Sequence, residues 1–147
     1  MFRVHQFDKV EMYVYTRPED SWQEHERMVA IEEEILRGLE LPYRAVDIAA
    51  GDLGAPAARK TDLEVWLPSQ GRYREVTSCS NTTDFQARRL KVRHRGERGL
   101  EPVHTLNGTA AVGRMLLALL ENGQQDDEVV AVPTALAHYG APASFKR

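Results

Sequence analysis

Residues 61–80, TDLEVWLPSQGRYREVTSCS, predict a β-hairpin. The apolar side chains Leu63, Val65 and Leu67 alternate with polar or aromatic ones, which is the period of a strand with one buried face. A turn follows in residues 68–71, and extended sequence resumes over Arg72–Ser80. Because strands joined by a tight turn run antiparallel, the hairpin indicates a mostly antiparallel sheet.

The segments around the hairpin predict further strands and helices without a regular βαβ alternation. Apolar residues recur every three or four positions from Trp22 to Leu39, which predicts a helix that begins near Ser21 and ends at Gly38 or Leu41. The predicted fold class is α+β, an antiparallel sheet with flanking helices. The other predicted elements are a long strand over Phe2–Tyr15, a strand over Tyr43–Ala49, a short helix over Asp84–Arg89, a strand over Val103–Asn107, a buried helix over Ala110–Glu121 with Gly113 packed inside it, a turn at Asp126-Asp127 and a strand over Val129–Val132.

The composition is that of one globular domain. The 147 residues carry 19 Lys and Arg against 22 Asp and Glu, a net charge of −3, with 42% hydrophobic and 28% charged residues. This balance excludes a generally basic nucleic-acid coat and the low hydrophobicity typical of disorder. No apolar run is long enough for a membrane span and the first residues carry no signal-peptide pattern, so we expect a cytoplasmic protein without a membrane partner.

One cysteine and scattered histidines offer little metal or redox chemistry. Cys79 cannot form an internal disulfide, and its place within a predicted strand favours a packed, unreactive thiol over a nucleophile. The five histidines lack metal-ligand spacing, and the sequence contains none of the standard short motifs for phosphate or dinucleotide binding. A functional site must therefore be assembled from residues that are distant in sequence.

Three segments place charged, amide or hydroxyl side chains where a polar ligand could bind. They are Lys9–Glu11 on the first strand, Arg74–Asn81 on the hairpin, and Thr105–Thr109 before the predicted buried helix. Within the last segment, Asn107 and Thr109 place an amide and a hydroxyl on either side of a glycine. Such groups can recognise a small polar molecule.

Arg114 is the most unusual residue of the chain, because it lies about one turn inside an otherwise apolar predicted helix. An unpaired buried guanidinium would cost several kcal/mol, so this side chain needs an anion. Two partners fit equally well. One is a structural carboxylate such as Glu75 or Glu11, and the other is a ligand phosphate, which a guanidinium binds in bidentate geometry.

Residues 88–98 form a basic block in an acidic protein. The block holds six Lys and Arg residues and one acidic residue, Glu97. A solvated strand and loop would explain such a block, and binding of an RNA backbone is the alternative.

Six blocks, in order along nearly the whole chain, resemble the bacterial seryl-tRNA synthetases, a class II family. The resemblance covers roughly the C-terminal third of that family's chain, and it implies the class II catalytic core, an antiparallel sheet with flanking helices. The blocks are FRVHQFDKVE (2–11), GDLG (51–54), DLEVWLP (62–68), REVTSCSN (74–81), DFQARR (84–89) and HTLNGT (104–109), the last leading to Gly113-Arg114 and LLEN (119–122).

The resemblance implies that serine is activated by ATP to seryl-adenylate and then transferred to tRNA(Ser). By position, Glu11, Asn107 and Thr109 would bind serine. Glu75 and Ser78 would hold ATP with its Mg²⁺, and Arg114 would meet the ATP phosphates. Glu75 and Arg114 would be the catalytic residues.

The same resemblance implies that residues 1–147 are a partial catalytic core, truncated at the N-terminus and running from the second strand of motif 2 through motif 3. Motif 1 and the first arginine of motif 2 would be missing, so we expect the isolated chain not to form adenylate. We also expect an unpaired strand edge to cause self-association or pairing with another synthetase chain. Asn107 and Arg114 are seven steps apart where most relatives have eight. The alternative function is a non-catalytic paralogue, a module that binds serine, ATP or another subunit.

Overall fold

The computed structural model describes residues 2–97, 99–125 and 128–146. None of the helices in these residues is long and apolar enough to cross a membrane. The elements follow in the order β1 (Lys9–Thr16), α1 (Ser21–Gly38), β2 (Tyr43–Asp47), β3 (Arg59–Leu67), β4 (Arg72–Asn81), α2 (Phe85–Leu90), β5 (Arg93–Gly96), β6 (Gly99–Pro102), β7 (His104–Val112), α3 (Gly113–Asn122), β8 (Val129–Ala131) and β9 (Ser144–Lys146).

A five-stranded antiparallel sheet in the order β1-β7-β4-β3-β2 organises the chain. The predicted hairpin is confirmed as β3 and β4, which pair from Arg59 opposite Asn81 to Leu67 opposite Arg72. Gly71 ends the turn at φ +58°, a left-handed conformation that favours glycine. The pairs β5–β6 and β8–β9 form two separate small sheets. The antiparallel sheet with flanking helices is thus confirmed.

Helices α1 and α3 cover one face of this sheet. Met28 and Leu36 of α1 are fully buried, and Met115 and Ala118 of α3 pack into the same core as Leu36. Removing a side chain of this size from water contributes about 1.5–3 kcal/mol. The predicted helix over α1 is confirmed within its predicted limits.

Polar side chains also bind α1 to the sheet. His25 Nε2 lies 3.0 Å from Thr61 Oγ1, and the Thr77 hydroxyl donates to Glu32 Oε2 at 2.9 Å. His25 and Glu32 are fully buried. The register of α1 over β3 and β4 is therefore fixed by hydrogen bonds as well as by apolar packing.

The first strand is shorter than the sequence predicted. Strand β1 begins at Lys9, which lies opposite Val112, the last residue of β7. Residues 2–8 therefore have no partner strand among the described residues, and they are irregular. The prediction of a strand over Phe2–Tyr15 was wrong for residues 2–8, because alternation of side chains does not by itself supply a strand to pair with.

The helix predicted over Ala110–Glu121 begins three residues later, at Gly113. Residues 110–112 instead extend β7 beyond the predicted Val103–Asn107, because they run alongside β1. The helix is also not buried all round, since Leu116 is 59% exposed. The packing role expected for Gly113 was wrong: it opens the helix, and no described atom lies within 4 Å of a Cβ built there.

The smaller elements differ in how well the sequence predicted them. The strand at 43–49, the short helix at 84–89 and the strand at 129–132 are confirmed as β2, α2 and β8, each with slightly shifted ends. The hairpin of β5 and β6 was not predicted, because the basic block carries no apolar alternation. The turn predicted at Asp126-Asp127 lies outside the described residues.

Replacing Gly108 with alanine should destabilise the fold. A Cβ at this position would lie 2.7 Å from Glu32 Oε1 and 3.1 Å from the terminal methyl of Met28, both on buried side chains of α1. Such overpacking costs about 1–3 kcal/mol. We expect urea unfolding of Gly108→Ala to give a free energy of unfolding lower by this amount.

Gly38→Ala is the matched control, because no described atom lies within 4 Å of a Cβ at the end of α1. We expect its stability to be unchanged or slightly raised, since alanine favours helix. Equal stability of both variants would contradict the close approach of α1 to β7.

Candidate functional site

The sheet face turned away from α1 carries the five strand residues selected from the sequence. Side chains alternate along a strand, and residues opposite each other on neighbouring strands point to the same side. Thr77, Cys79 and Gly108 contact α1, so their neighbours along β4 and β7 point away from it. We call this surface the open face, and the register places on it Glu11, Glu75, Ser78, Asn107 and Thr109.

A β-bulge in β4 brings Glu75 and Ser78 to the same face. Residues three apart in a regular strand point to opposite sides. Here Thr77 lies opposite Leu63 and Glu75 lies opposite Glu64, which leaves Val76 as the extra residue. Val76 is buried in the core beneath the sheet. The bulge thus restores the parity that places Glu75 and Ser78 on one face.

On β1 and β7, three side chains form one polar cluster. The Thr109 hydroxyl donates to Glu11 Oε2 at 3.3 Å, and Lys9 Nζ lies 2.6 Å from the same oxygen. Lys9 Nζ also donates to Thr109 Oγ1 at 3.4 Å. Asn107 lies two residues along β7 on the same face and is half-buried. The structure thus places Glu11 and Thr109 in one hydrogen-bonded cluster. Lys9 also belongs to this cluster; the sequence placed it in the same segment as Glu11 but assigned it no role.

Oxygen atoms that could bind a cation lie on the β3–β4 part of the open face. Ser78 lies opposite Asp62, and Asp62 is paired with Lys60 at 2.6 Å. Burial raises the pKa of Asp62, the Lys60 hydrogen bond opposes this, and repulsion from Glu75 adds to it. Within the described residues, no three His, Cys, Asp or Glu side chains are grouped to hold a metal. A carboxylate and a hydroxyl, from Glu75 and Ser78, fit Mg²⁺ as part of a shell completed by phosphate oxygens and water.

Arg114 is the second residue of α3 rather than a residue one turn inside it, and it is half-buried. It lies where β4 and β7 separate, because these strands pair only over Cys79–Asn81. Its Nη1 donates to the backbone carbonyl of Glu75 at 3.1 Å. Arg114 forms no ion pair among the described residues. Of the two partners considered above, a structural carboxylate is therefore not present in the described part of the fold.

A cavity of about 480 Å³ lies beside Arg114 and is lined in part by Phe2, Arg3 and Phe7. The Phe2 ring centroid lies 5.0 Å from Cζ of Arg114 and 4.3 Å from Cζ of Arg74. Aromatic rings and guanidinium groups together suit a ligand that has both a flat ring and an anionic group. No role was assigned to Arg3 or Phe7 from the sequence. Charged and aromatic residues together in this short segment could have indicated a ligand site.

Cys79 is confirmed as a packed thiol. It is fully buried, and its Sγ lies 3.7 Å from His25 Nδ1. Burial raises the pKa of Cys79 to about 12, with the charge of Glu32 adding to the effect. Burial also lowers the pKa of His25, and nearby Arg59 lowers it further. At neutral pH this pair lies in the core as a neutral thiol and a neutral imidazole.

Comparison with known proteins identifies relatives of this chain. Residues 1–123 match the family "tRNA synthetase class II core domain (G, H, P, S and T)". The serine–tRNA ligase of Bifidobacterium longum (strain DJO10A) is 57% identical over 140 residues, and that of Rubrobacter xylanophilus is 60% identical over 141 residues. The chain belongs to the serine–tRNA ligase family of class II tRNA synthetases. Each alignment covers 95% of this chain and 33% of the relative, so the chain spans about a third of the length of these serine–tRNA ligases.

Solved structures of the serine–tRNA ligase family superpose closely. Seryl-tRNA synthetase from Pyrococcus horikoshii, complexed with ATP, gives a TM-score of 0.94 at 49% identity, over 99% of this chain and 33% of that chain. The cytoplasmic enzyme from Naegleria fowleri, in complex with AMP, gives 0.90 at 41% identity, over 99% of this chain and 35% of that chain. The fold implied by the sequence resemblance is thus confirmed.

Glu32, on α1, is a buried acid that was not singled out from the sequence. It follows Met28 and precedes Leu36 by four residues on the buried face of α1, so helical periodicity contained its signal. Burial raises the pKa of Glu32 to about 7; the Thr77 hydrogen bond opposes the rise, and repulsion from Glu11 adds to it. Oε1 of Glu32 has no hydrogen-bond partner among the described residues.

Glu32→Gln should change how stability depends on pH. The pKa of Glu32 is raised from 4.5 in the unfolded chain to about 7 in the folded one, so its favourable contribution is complete below pH 4.5 and is lost as pH rises through 7. We expect urea unfolding to show that the advantage of Glu32→Gln over the parent grows between pH 5 and pH 8, by up to about 3 kcal/mol. Glu34→Gln, exposed on the same helix, is the control and should leave the difference constant. A constant difference for both variants would contradict the buried acid.

Proposed function

We propose that the open face and its adjoining cavity bind serine and ATP, as part of a serine–tRNA ligase catalytic core that activates serine to seryl-adenylate and transfers it to tRNA(Ser), a reaction that the isolated chain is expected not to complete. The observation that carries this proposal is Arg114, whose half-buried guanidinium forms no ion pair among the described residues and lies beside a cavity lined by phenylalanine rings. Membership of the serine–tRNA ligase family supports it, as does the similarity to a relative complexed with ATP.

The cavity at Arg114 would take the nucleotide. Phe2 and Phe7 offer flat surfaces for a purine base, and Arg3 and Arg114 offer guanidinium groups for its phosphates. Phe2 now occupies the space over Arg114, so a bound base would displace or stack upon its ring. This arrangement would give the guanidinium the anion that the described residues do not supply.

Adenylate formation is an in-line displacement at phosphorus. A carboxylate oxygen of serine attacks the α-phosphorus, the bond to the bridging oxygen breaks, and pyrophosphate leaves with the electron pair. Arg114 would stabilise the charge that develops on the phosphate oxygens. Glu75 and Ser78 would supply oxygen ligands to Mg²⁺, which neutralises phosphate charge when bound.

The cluster on β1 and β7 would hold serine. Glu11 can accept hydrogen bonds from the serine ammonium group, which would share with Lys9 the carboxylate oxygen that this lysine now contacts. Thr109 and Asn107 can hydrogen-bond the serine hydroxyl. A pocket whose polar groups pair with a substrate hydroxyl rejects the analogue that lacks it, because those groups are then left unpaired. The activated carbonyl would then be attacked by a hydroxyl of the terminal ribose of tRNA(Ser), with AMP as the leaving group.

Arg114→Ala should weaken nucleotide binding. Removing a guanidinium that pairs with phosphate costs about 2–5 kcal/mol, so we expect calorimetry to show at least a 10-fold weaker Kd for ATP with Mg²⁺. Glu11→Gln should weaken serine binding and leave ATP binding unchanged.

Arg37→Ala, on the exposed side of α1, is the control and should bind like the parent. Unchanged ATP affinity in Arg114→Ala would contradict the nucleotide assignment. Because the isolated chain is expected not to form adenylate, its serine-dependent pyrophosphate exchange should be undetectable. Robust exchange that is lost in Arg114→Ala would overturn that expectation and exclude the non-catalytic module.

We further propose that the chain self-associates or pairs with another synthetase chain through β1. The outer edge of this eight-residue strand is unpaired within the described residues, and Val10 is 62% exposed on it. Open edges of this length recruit other strands. Light scattering should give a mass above 16.6 kDa, and Val10→Lys should lower it, because a charged side chain on an edge strand opposes pairing with another strand. A monomer at all concentrations would contradict this.

A further inference from the structure

The basic block of the sequence becomes a defined surface in the fold. The residues that form it, here called the basic strip, lie on α2, on the turn after it and on β5, and all are exposed. Residues 88–95 contain no acidic residue, although the whole chain has a net charge of −3. The strip consists of Arg88, Arg89, Lys91, Arg93 and Arg95.

Most of these cations form no ion pair with the part of the chain that the structure describes. Arg88 is paired with Asp84 at 3.0 Å in an exposed i,i+4 contact, which is weak. Arg89 lies with its Cζ 3.9 Å from the Phe85 ring, and its Nη1 donates to the Phe85 carbonyl, so its guanidinium is held in place. Lys91, Arg93 and Arg95 form no ion pair within the described residues.

In the hairpin of β5 and β6, the two arginines of β5 have no acidic residue directly opposite them. Arg93 and Arg95 share one face, about 6.6 Å apart along the strand. Their partners on that face are Pro102 and Leu100, whereas Glu101 lies opposite His94 on the other face. Two guanidinium groups at this spacing match successive phosphates of a nucleotide chain, and a guanidinium binds phosphate in bidentate geometry.

The strip also begins beside the open face. Gln86 of α2 accepts hydrogen bonds from Tyr13 at 2.7 Å and from Thr105 at 2.9 Å. Tyr13 lies opposite Asn107 in the pairing of β1 and β7. A polyanion that follows the strip therefore has one end next to Asn107.

We propose that the basic strip binds the backbone phosphates of an RNA whose end lies on the open face. That this RNA is the acceptor tRNA rests on the proposed function, whereas the phosphate binding itself rests on the strip. Because the contacts are to phosphates, binding is independent of base sequence and falls steeply with salt.

The test is fluorescence anisotropy with a labelled tRNA transcript at 50–200 mM salt. The double variant Arg93→Gln/Arg95→Gln should bind on the order of 10-fold more weakly, and the slope of log K against log salt should become shallower by about 1–2. The control is Arg27→Gln/Arg37→Gln, which removes the same charge from exposed positions on α1 and should bind like the parent. Circular dichroism checks that both variants are folded.

Equal weakening in both double variants would overturn the proposal, since the net charge alone would then explain binding. Equal competition by polyglutamate would also overturn it, in favour of an acidic protein partner, and so would absence of RNA binding at the lowest salt. ATP calorimetry on the same variants keeps the two proposals apart. A parent chain that binds ATP but no RNA overturns the strip alone, and a parent chain that binds RNA but no ATP overturns the proposed function alone.

Discussion

Three residue pairs between β4 and β7 hold the two halves of the sheet together. Cys79, Ser80 and Asn81 lie opposite residues 106–108, backbone hydrogen bonds continue from Thr82 and Thr83 to Thr105, and the pairing ends on the Ser78 side. The candidate serine residues lie on the β1–β7 half, and the candidate metal residues Glu75 and Ser78 lie on the β4–β3 half. The relative position of the two groups therefore depends on this short ladder, and Arg114 lies in the opening next to it.

Helix α1 braces the same junction from below. Glu32 is hydrogen-bonded to Thr77 on β4 and lies against Gly108 on β7, while His25 lies against Cys79. Buried polar groups stabilise a fold only when they are paired, so these contacts restrict α1 to one position. The brace acts on the side opposite to the open face, which leaves that face free to carry polar side chains.

The sequence predicted elements whose signal is local and missed features that depend on a partner. The hairpin of β3 and β4 and the helix α1 follow from alternation and helical periodicity, and they were confirmed. The start of β1 and the start of α3 were misplaced, because each is set by the C-terminal end of β7. The family resemblance located the candidate residues, but alternation could not indicate that Glu75 and Ser78 share a face, since the bulge at Val76 arises from pairing with β3.

The bulge at Val76 makes the effect of a change in the length of β4 depend on its position. Deleting the codon of Val76 would remove the extra residue, and Glu75 and Ser78 would then lie two positions apart in a regular strand, still on the open face. Deleting a codon from Cys79–Asn81, where β4 pairs regularly with β7, would instead turn the residues that precede it to the opposite face. A change in the length of β4 is therefore compatible with the open face at the bulge, whereas a change in its regular part turns Glu75 and Ser78 toward the core.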